Sequence, residues 1–180
     1  SLTSVGEQAF QGCVHLESIG ISGESITSLG KSAFSGTALN TFTFSSELKK
    51  IPYRVFSNAK IIEVIISKGV EEIGSSAFAN CVSLEKADLP DSIAKIGEEA
   101  FYRCENLTGT LTIEENITVI DLNAFEGTGY SELYFNAGAN SSDYDLDRAF
   151  SGMNNVKKIV VGSRTTKIGF RWFHDLINVT

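Results

Sequence analysis

Three cysteines, two histidines and a short acidic run carry the most obvious chemistry in this chain. Cys13, Cys81 and Cys104 are potential nucleophiles, metal ligands or disulfide partners. Cys13 and His15 are the one close Cys/His pair, and a nucleophilic dyad needs an exposed, activated thiolate. Asp143, Asp145 and Asp147 alternate along Asp143-Tyr144-Asp145-Leu146-Asp147, a spacing that invites a calcium ion. An EF-hand loop would place glycine at position 148 and glutamate at 154, where Arg148 and Asn154 stand. The competing reading is a solvated acidic loop behind the turn-rich stretch 136–142. Glu63 and Asp88 are candidates for a glycosidase pair, but that chemistry needs two acids flanking a cleft, and nothing in the sequence encloses them.

What these residues can do depends on what holds them, and that is a repeat. Phe10, Phe34, Phe56, Phe78, Phe101, Phe125, Phe150 and Phe173 follow one another at gaps of 24, 22, 22, 23, 24, 25 and 23 residues. Five positions upstream stand Val5, Leu29, Ile51, Ile73, Ile96, Ile120, Asp145 and Ile168, so the seventh repeat alone breaks that column. Such a break marks strain or function, and Tyr144 or Leu146 is expected to fill the vacancy. A further column, twelve before the aromatic, holds Phe44, Ile66, Leu89, Ile113 and Val161. Several columns in one register predict stacked coils.

One coil shows the path. Around Leu84-Glu85-Lys86-Ala87-Asp88-Leu89, Ala87 and Leu89 point in while Lys86 and Asp88 point out, as in a half-buried strand. Pro90-Asp91 turns the chain. Ile93 and Ile96 begin the return as a second extended piece or a tight turn. Gly97 permits a sharp bend. Residues 98–103 suffice for one helical or 3-10 turn that drops Phe101 and Cys104 inward. About 23 residues cannot form their own core, so coils stack, each advancing by roughly the 4.8 Å between paired strands. The predicted fold is an α/β repeat solenoid with a parallel sheet on one face and short helical or 3-10 turns opposite. Residues 1–180 read as a single domain of about eight partial or complete coils.

That geometry bears on the reactive residues. All three cysteines lie three residues after a column Phe, where other repeats place Thr37, Ala59, Thr128, Met153 and Leu176. A shared inward position for small or apolar residues predicts buried free thiols. Cys13 and Cys81 are three coils, about 14 Å, apart, beyond disulfide reach; Cys81 and Cys104 are one coil apart, but with parallel side chains. His15 and His174 are separated by about 33 Å and cannot share a metal.

The pattern Leu-x-x-Ile-x-Leu-Pro-x-x-Ile-x-x-Ile-Gly-x-x-Ala-Phe-x-x-Cys resembles the BspA-type leucine-rich repeat of bacterial and protist surface and secreted proteins. The best-fitting stretch is 61–107. The resemblance implies a curved right-handed solenoid, export, and roles in adhesion or host-protein binding. One extra residue precedes the strand Thr110-Leu111-Thr112-Ile113, a local departure from the pattern.

Composition narrows the partners. Hydrophobic residues make up 42% and charged residues 21%, as in an ordinary folded domain. A net charge of −7 offers no clustered basic surface for nucleic acid or anionic membrane. No apolar run approaches the roughly 20 residues that span a bilayer. The chain reads as a fragment of a longer protein, with any export signal and terminal caps elsewhere. Sequons at Asn106, Asn116, Asn140 and Asn178 carry meaning only on a eukaryotic secretory route.

Two outward rows run along the predicted strand face: Gly20, Thr43, Ile65, Asp88, Thr112, Tyr134, Val160, and Ser18, Thr41, Glu63, Lys86, Thr110, Glu132, Lys158. Ile65, Lys86, Asp88, Tyr134 and Val160 are the candidate binding residues, because exposed aromatic and apolar groups on an extended surface suit protein recognition. The function expected is non-catalytic binding of a protein or glycan by a secreted or surface protein, with no cofactor. A spacer that presents a neighbouring domain is the alternative. A hydrolase would need a nucleophile–base pair or a metal cluster that the sequence does not supply.

Overall fold

The computed structural model describes residues 2–20, 22–136, 149–165, 168 and 173–180. They wind into a parallel β-solenoid of about six turns. The main strand face carries β3 (Thr41–Phe44), β5 (Glu63–Ile66) and β7 (Lys86–Ala87), then β9 (Thr110–Ile113), β11 (Glu132–Phe135) and β12 (Lys158–Val161). A second ladder joins the short strands β4 (Lys50–Ile51), β6 (Glu72–Ile73), β8 (Lys95–Ile96) and β10 (Val119–Ile120). The remaining pair, β1 (Ser4–Val5) and β2 (Ser28–Leu29), belongs to the first coils. All pairings are parallel, one coil to the next.

Alternation makes the strands. In Thr41-Phe42-Thr43-Phe44 both phenylalanines are buried while Thr41 is exposed. Leu111 and Ile113 do the same in β9. A one-residue slip would turn these side chains to solvent, so the hydrophobic pattern sets the register Thr41↔Glu63↔Lys86.

The phenylalanine column is the spine. Successive rings from Phe10 to Phe173 lie 5.2 to 6.2 Å apart, centroid to centroid, and all but the last pair are within 16° of parallel. Phe34, Phe56, Phe78, Phe101, Phe125 and Phe150 are fully buried. Phe44 and Phe135 meet the stack edge-on, the arrangement that ring quadrupoles favour beside an offset stack.

Among the described residues the expected helical or 3-10 turns beside the spine do not form. Among the described residues the one 3-10 segment is Gly23–Ser25, on another part of the coil. The spine residues sit instead in overlapping turns such as Ala77 N–H to Gly74 C=O and Ala79 N–H to Ser76 C=O. The reason is the backbone between coils. Ser76, Phe78 and Asn80 donate to the carbonyls of Glu98, Ala100 and Tyr102 in the next coil at 2.7–2.8 Å. A helix would direct those N–H groups along its own axis and leave the stack unpaired. Alternating the direction of the N–H groups requires left-handed residues, and Ser76, Asn80, Glu99 and Arg103 all have φ between 53° and 59°.

Gly97 is needed for a different reason from a bend. Its φ is not positive, but a Cβ there would lie 2.7 Å from the Ser75 nitrogen of the preceding coil. Close approach of two backbones excludes a side chain.

Cys81 and Cys104 are buried free thiols, as expected. Each Sγ donates to a spine carbonyl one coil back, Cys81 to Phe56 at 3.0 Å and Cys104 to Phe78 at 3.1 Å. Cys13 is exposed, contrary to the column argument. Among the described residues it has no counterpart of the spine carbonyls that Cys81 and Cys104 meet one coil back.

Candidate functional site

The main strand face is not one sheet. It divides into β3–β5–β7 and β9–β11–β12. Among the described residues no backbone hydrogen bond joins 85–89 to 108–113. The cause is the extra residue ahead of β9. From Ile61, Leu84, Tyr130 and Val156 the strand begins two positions on; from Leu107 it begins three on, at Thr110. The surplus is taken up at Gly109, whose φ of 86° favours glycine. The next coil pairs normally, Ser131 and Glu132 both donating to the Gly109 carbonyl.

The separated strands leave a cleft of about 350 Å³, lined by Glu85, Lys86, Asp88, Thr110, Thr112 and Tyr130 among others, with Glu114 at one end. This lies at the low end of the roughly 300–1,000 Å³ typical of small-ligand sites. Lys86 is fixed at its edge. Its ammonium donates to Glu63 at 3.1 Å and lies 3.8 Å from Asp88. The Glu63 hydrogen bond and charge, then Asp88, hold its pKa above the usual lysine value. A parallel pair, Lys158–Glu132 at 3.7 Å, lies on the other half-sheet.

Tyr130 forms the inner wall. Other coils place Leu39, Ile61, Leu84, Leu107 and Val156 at its position, all buried. Burial pushes its phenol pKa up, with smaller contributions from Cys104 and Asp88. The sequence holds two signals for this cleft, the residue inserted at Gly109 and a hydroxyl-bearing ring in an aliphatic column.

The structure brings Lys86 and Asp88 together at the cleft mouth. Ile65 is one strand away and 48% exposed, beside the exposed Ile62. Tyr134 is the register partner of both Thr112 and Val160, and Tyr134 and Val160 are half-buried. The glycosidase candidates Glu63 and Asp88 flank the Lys86 ammonium, which pairs with both. Asp143, Asp145 and Asp147 lie outside the described residues, as do Tyr144 and Leu146. Among the described residues no group of three or more His, Cys, Asp and Glu side chains could hold a metal ion. His174 bonds instead to Asp175, at 2.8 Å. No helix among the described residues is long and apolar enough to cross a membrane.

Short coils, parallel ladders and a buried spine define a leucine-rich-repeat solenoid. The sequence matches the BspA type leucine rich repeat region in six copies, over residues 1–108 and 71–180. The chain belongs to that family. Its fold is similar to a leucine rich repeat protein of T. pallidum, at TM-score 0.60 and 19% identity over 88% of this chain and 63% of that one. It is also similar to a leucine rich cell surface protein of Faecalibacterium prausnitzii, at 0.57 and 22% over 76% and 43%. A third similar structure is the pneumococcal vaccine antigen PcpA, at 0.54 and 20% over 78% and 50%. The chain thus covers 43% to 63% of the length of these solved chains. Among curated proteins no sequence matches it.

Proposed function

We propose that this chain is a non-catalytic binding module of adhesion type, from a secreted or cell-surface protein, which takes a protein or glycan on its strand face. The observation that carries this reading is the cleft that separates β7 from β9, on the face where Lys86, Asp88 and Tyr134 stand. Family membership, one similar structure described as a cell surface protein and another described as a vaccine antigen support the location. The reading takes residues 1–180 as one right-handed repeat domain, its about eight coils counting the partial ones beyond the roughly six turns of the solenoid, with no cofactor. The fold alone does not select a ligand, so the site has to.

The test is a capture assay against surface proteins and a glycan array, using the chain and a Lys86→Ala/Asp88→Ala/Tyr134→Ala variant. Loss of capture with an unchanged unfolding midpoint supports the strand face. Undiminished capture by the variant overturns it and moves recognition elsewhere in the protein.

A further inference from the structure

We propose that the cleft between β7 and β9 receives an arginine side chain from a protein partner. The inference rests on the strand-face reading above and names the chemistry it recognises.

The cleft is rich in acceptors. Four acids, Glu85, Asp88, Asp91 and Glu114, are among its lining residues, and Thr110 and Thr112 add hydroxyls. Among the described residues lining it, Lys86 is the one cation; its ammonium lies nearer Glu63, at 3.1 Å, than Asp88, at 3.8 Å, and among the described residues Glu85 and Glu114 are left without an ion pair. A second observation is independent of the acids. Tyr130 is only 7% exposed and lines the cleft, yet among the described residues its hydroxyl has no hydrogen-bond partner. Buried hydroxyls are ordinarily bonded. Its nearest aliphatic counterparts, Leu107 and Leu84, bring no such group, so the hydroxyl is a feature of this coil alone. The separated strand edges add backbone groups that elsewhere on this face are taken up by the ladder.

Guanidinium is the group that suits this surround. It offers five donors in a plane and no acceptor, and it is less strongly hydrated than an ammonium. A saccharide would carry no charge to meet these carboxylates, whereas a guanidinium brings both the charge and the donors. A chain of net charge −7 also attracts a basic partner at long range.

The experiment is an NMR titration of the 180-residue chain with Nα-acetyl-arginine amide at fixed ionic strength. Nα-acetyl-citrulline amide, the neutral isostere, is run in parallel. Saturable shifts centred on the amides of Thr110, Thr112 and Tyr130 are expected. Binding should be about tenfold weaker for the citrulline compound and for an Asp88→Asn/Glu114→Gln variant. Tyr130→Phe keeps the ring and should also weaken binding, whereas Glu98→Gln, on a remote exposed acid, should not. Equal binding of citrulline, shifts spread over the whole acidic surface, or full binding by the double variant would overturn the proposal. A partner whose capture falls with Tyr134→Ala but not with Tyr130→Phe removes this inference and leaves the strand-face reading standing.

Discussion

Phe78 and Phe101 are joined twice. Their rings stack at 5.2 Å, and the Phe78 N–H donates at 2.8 Å to the carbonyl of Ala100, the residue before Phe101. Side-chain stacking and backbone pairing therefore share one column, and the same double link repeats down the stack. Phe101→Ala should lower stability by about 3–5 kcal/mol, read as a shift in the urea midpoint. Phe10→Ala should cost clearly less, because Phe10 is only half-buried.

Glu99 supplies the second prediction. Its φ of 55° is left-handed, as the turn requires, and a non-glycine residue is strained there. Glu99→Gly should stabilise the fold by about 0.5–1 kcal/mol, the relief of strain exceeding glycine's entropy cost. Glu99→Val should destabilise it. Thermal unfolding of the two variants side by side is the measurement.

The thiols separate by position. In the native chain one cysteine, Cys13, should react quickly with an aromatic disulfide reagent, and Cys81 and Cys104 only on unfolding. Burial pushes the Cys81 thiol from 9.0 up to about 12, and Cys104 well above 9.0. The unfolded chain ionises both near 9, so unfolding releases protons above that pH. The stabilisation is complete below pH 9 and is lost as the pH climbs towards 12. Cys81 alone contributes a slope of about 1.4 kcal/mol per pH unit. Urea midpoints from pH 8 to 10.5 should fall, and fall less in Cys81→Ala, which copies Ala59 at the equivalent position.

Deleting Gly109 should restore the common spacing and let β9 pair with β7. Nothing packs where a Cβ at Gly109 would stand, and Thr108 would then supply the carbonyl that accepts from Ser131 and Glu132. The amides of Thr110 and Thr112 should then exchange with deuterium about fivefold more slowly for each kcal/mol gained by a new ladder bond. Exchange as fast as in the parent would show that the strands stay apart for another reason.

The spine is legible in the sequence because a large apolar ring every 22 to 25 residues has one place to go. The outward placement of Lys86 and Asp88 follows from period-two alternation. The turns beside the spine mislead because Gly-x-x-Ala-Phe satisfies helix spacing locally, and it is the neighbouring coil's demand for N–H groups that decides otherwise. Cys13 departs from its column because, among the described residues, it meets no spine carbonyl one coil back as Cys81 and Cys104 do. The extra residue before Thr110 is visible in the sequence, but its effect is not. A surplus residue can be swallowed by a loop or can hold neighbouring strands apart, and the choice depends on how the adjacent coils keep their own ladders.

The coils that separate at β7 and β9 remain tied elsewhere. β8 still pairs with β10, and Phe101 still stacks on Phe125 at 5.4 Å. The molecule is therefore fastened along one side of this junction and open along the other, like a book at its binding. A guest that grips both covers would therefore work against that seam, and through it would set the angle at which one half of the stack meets the other.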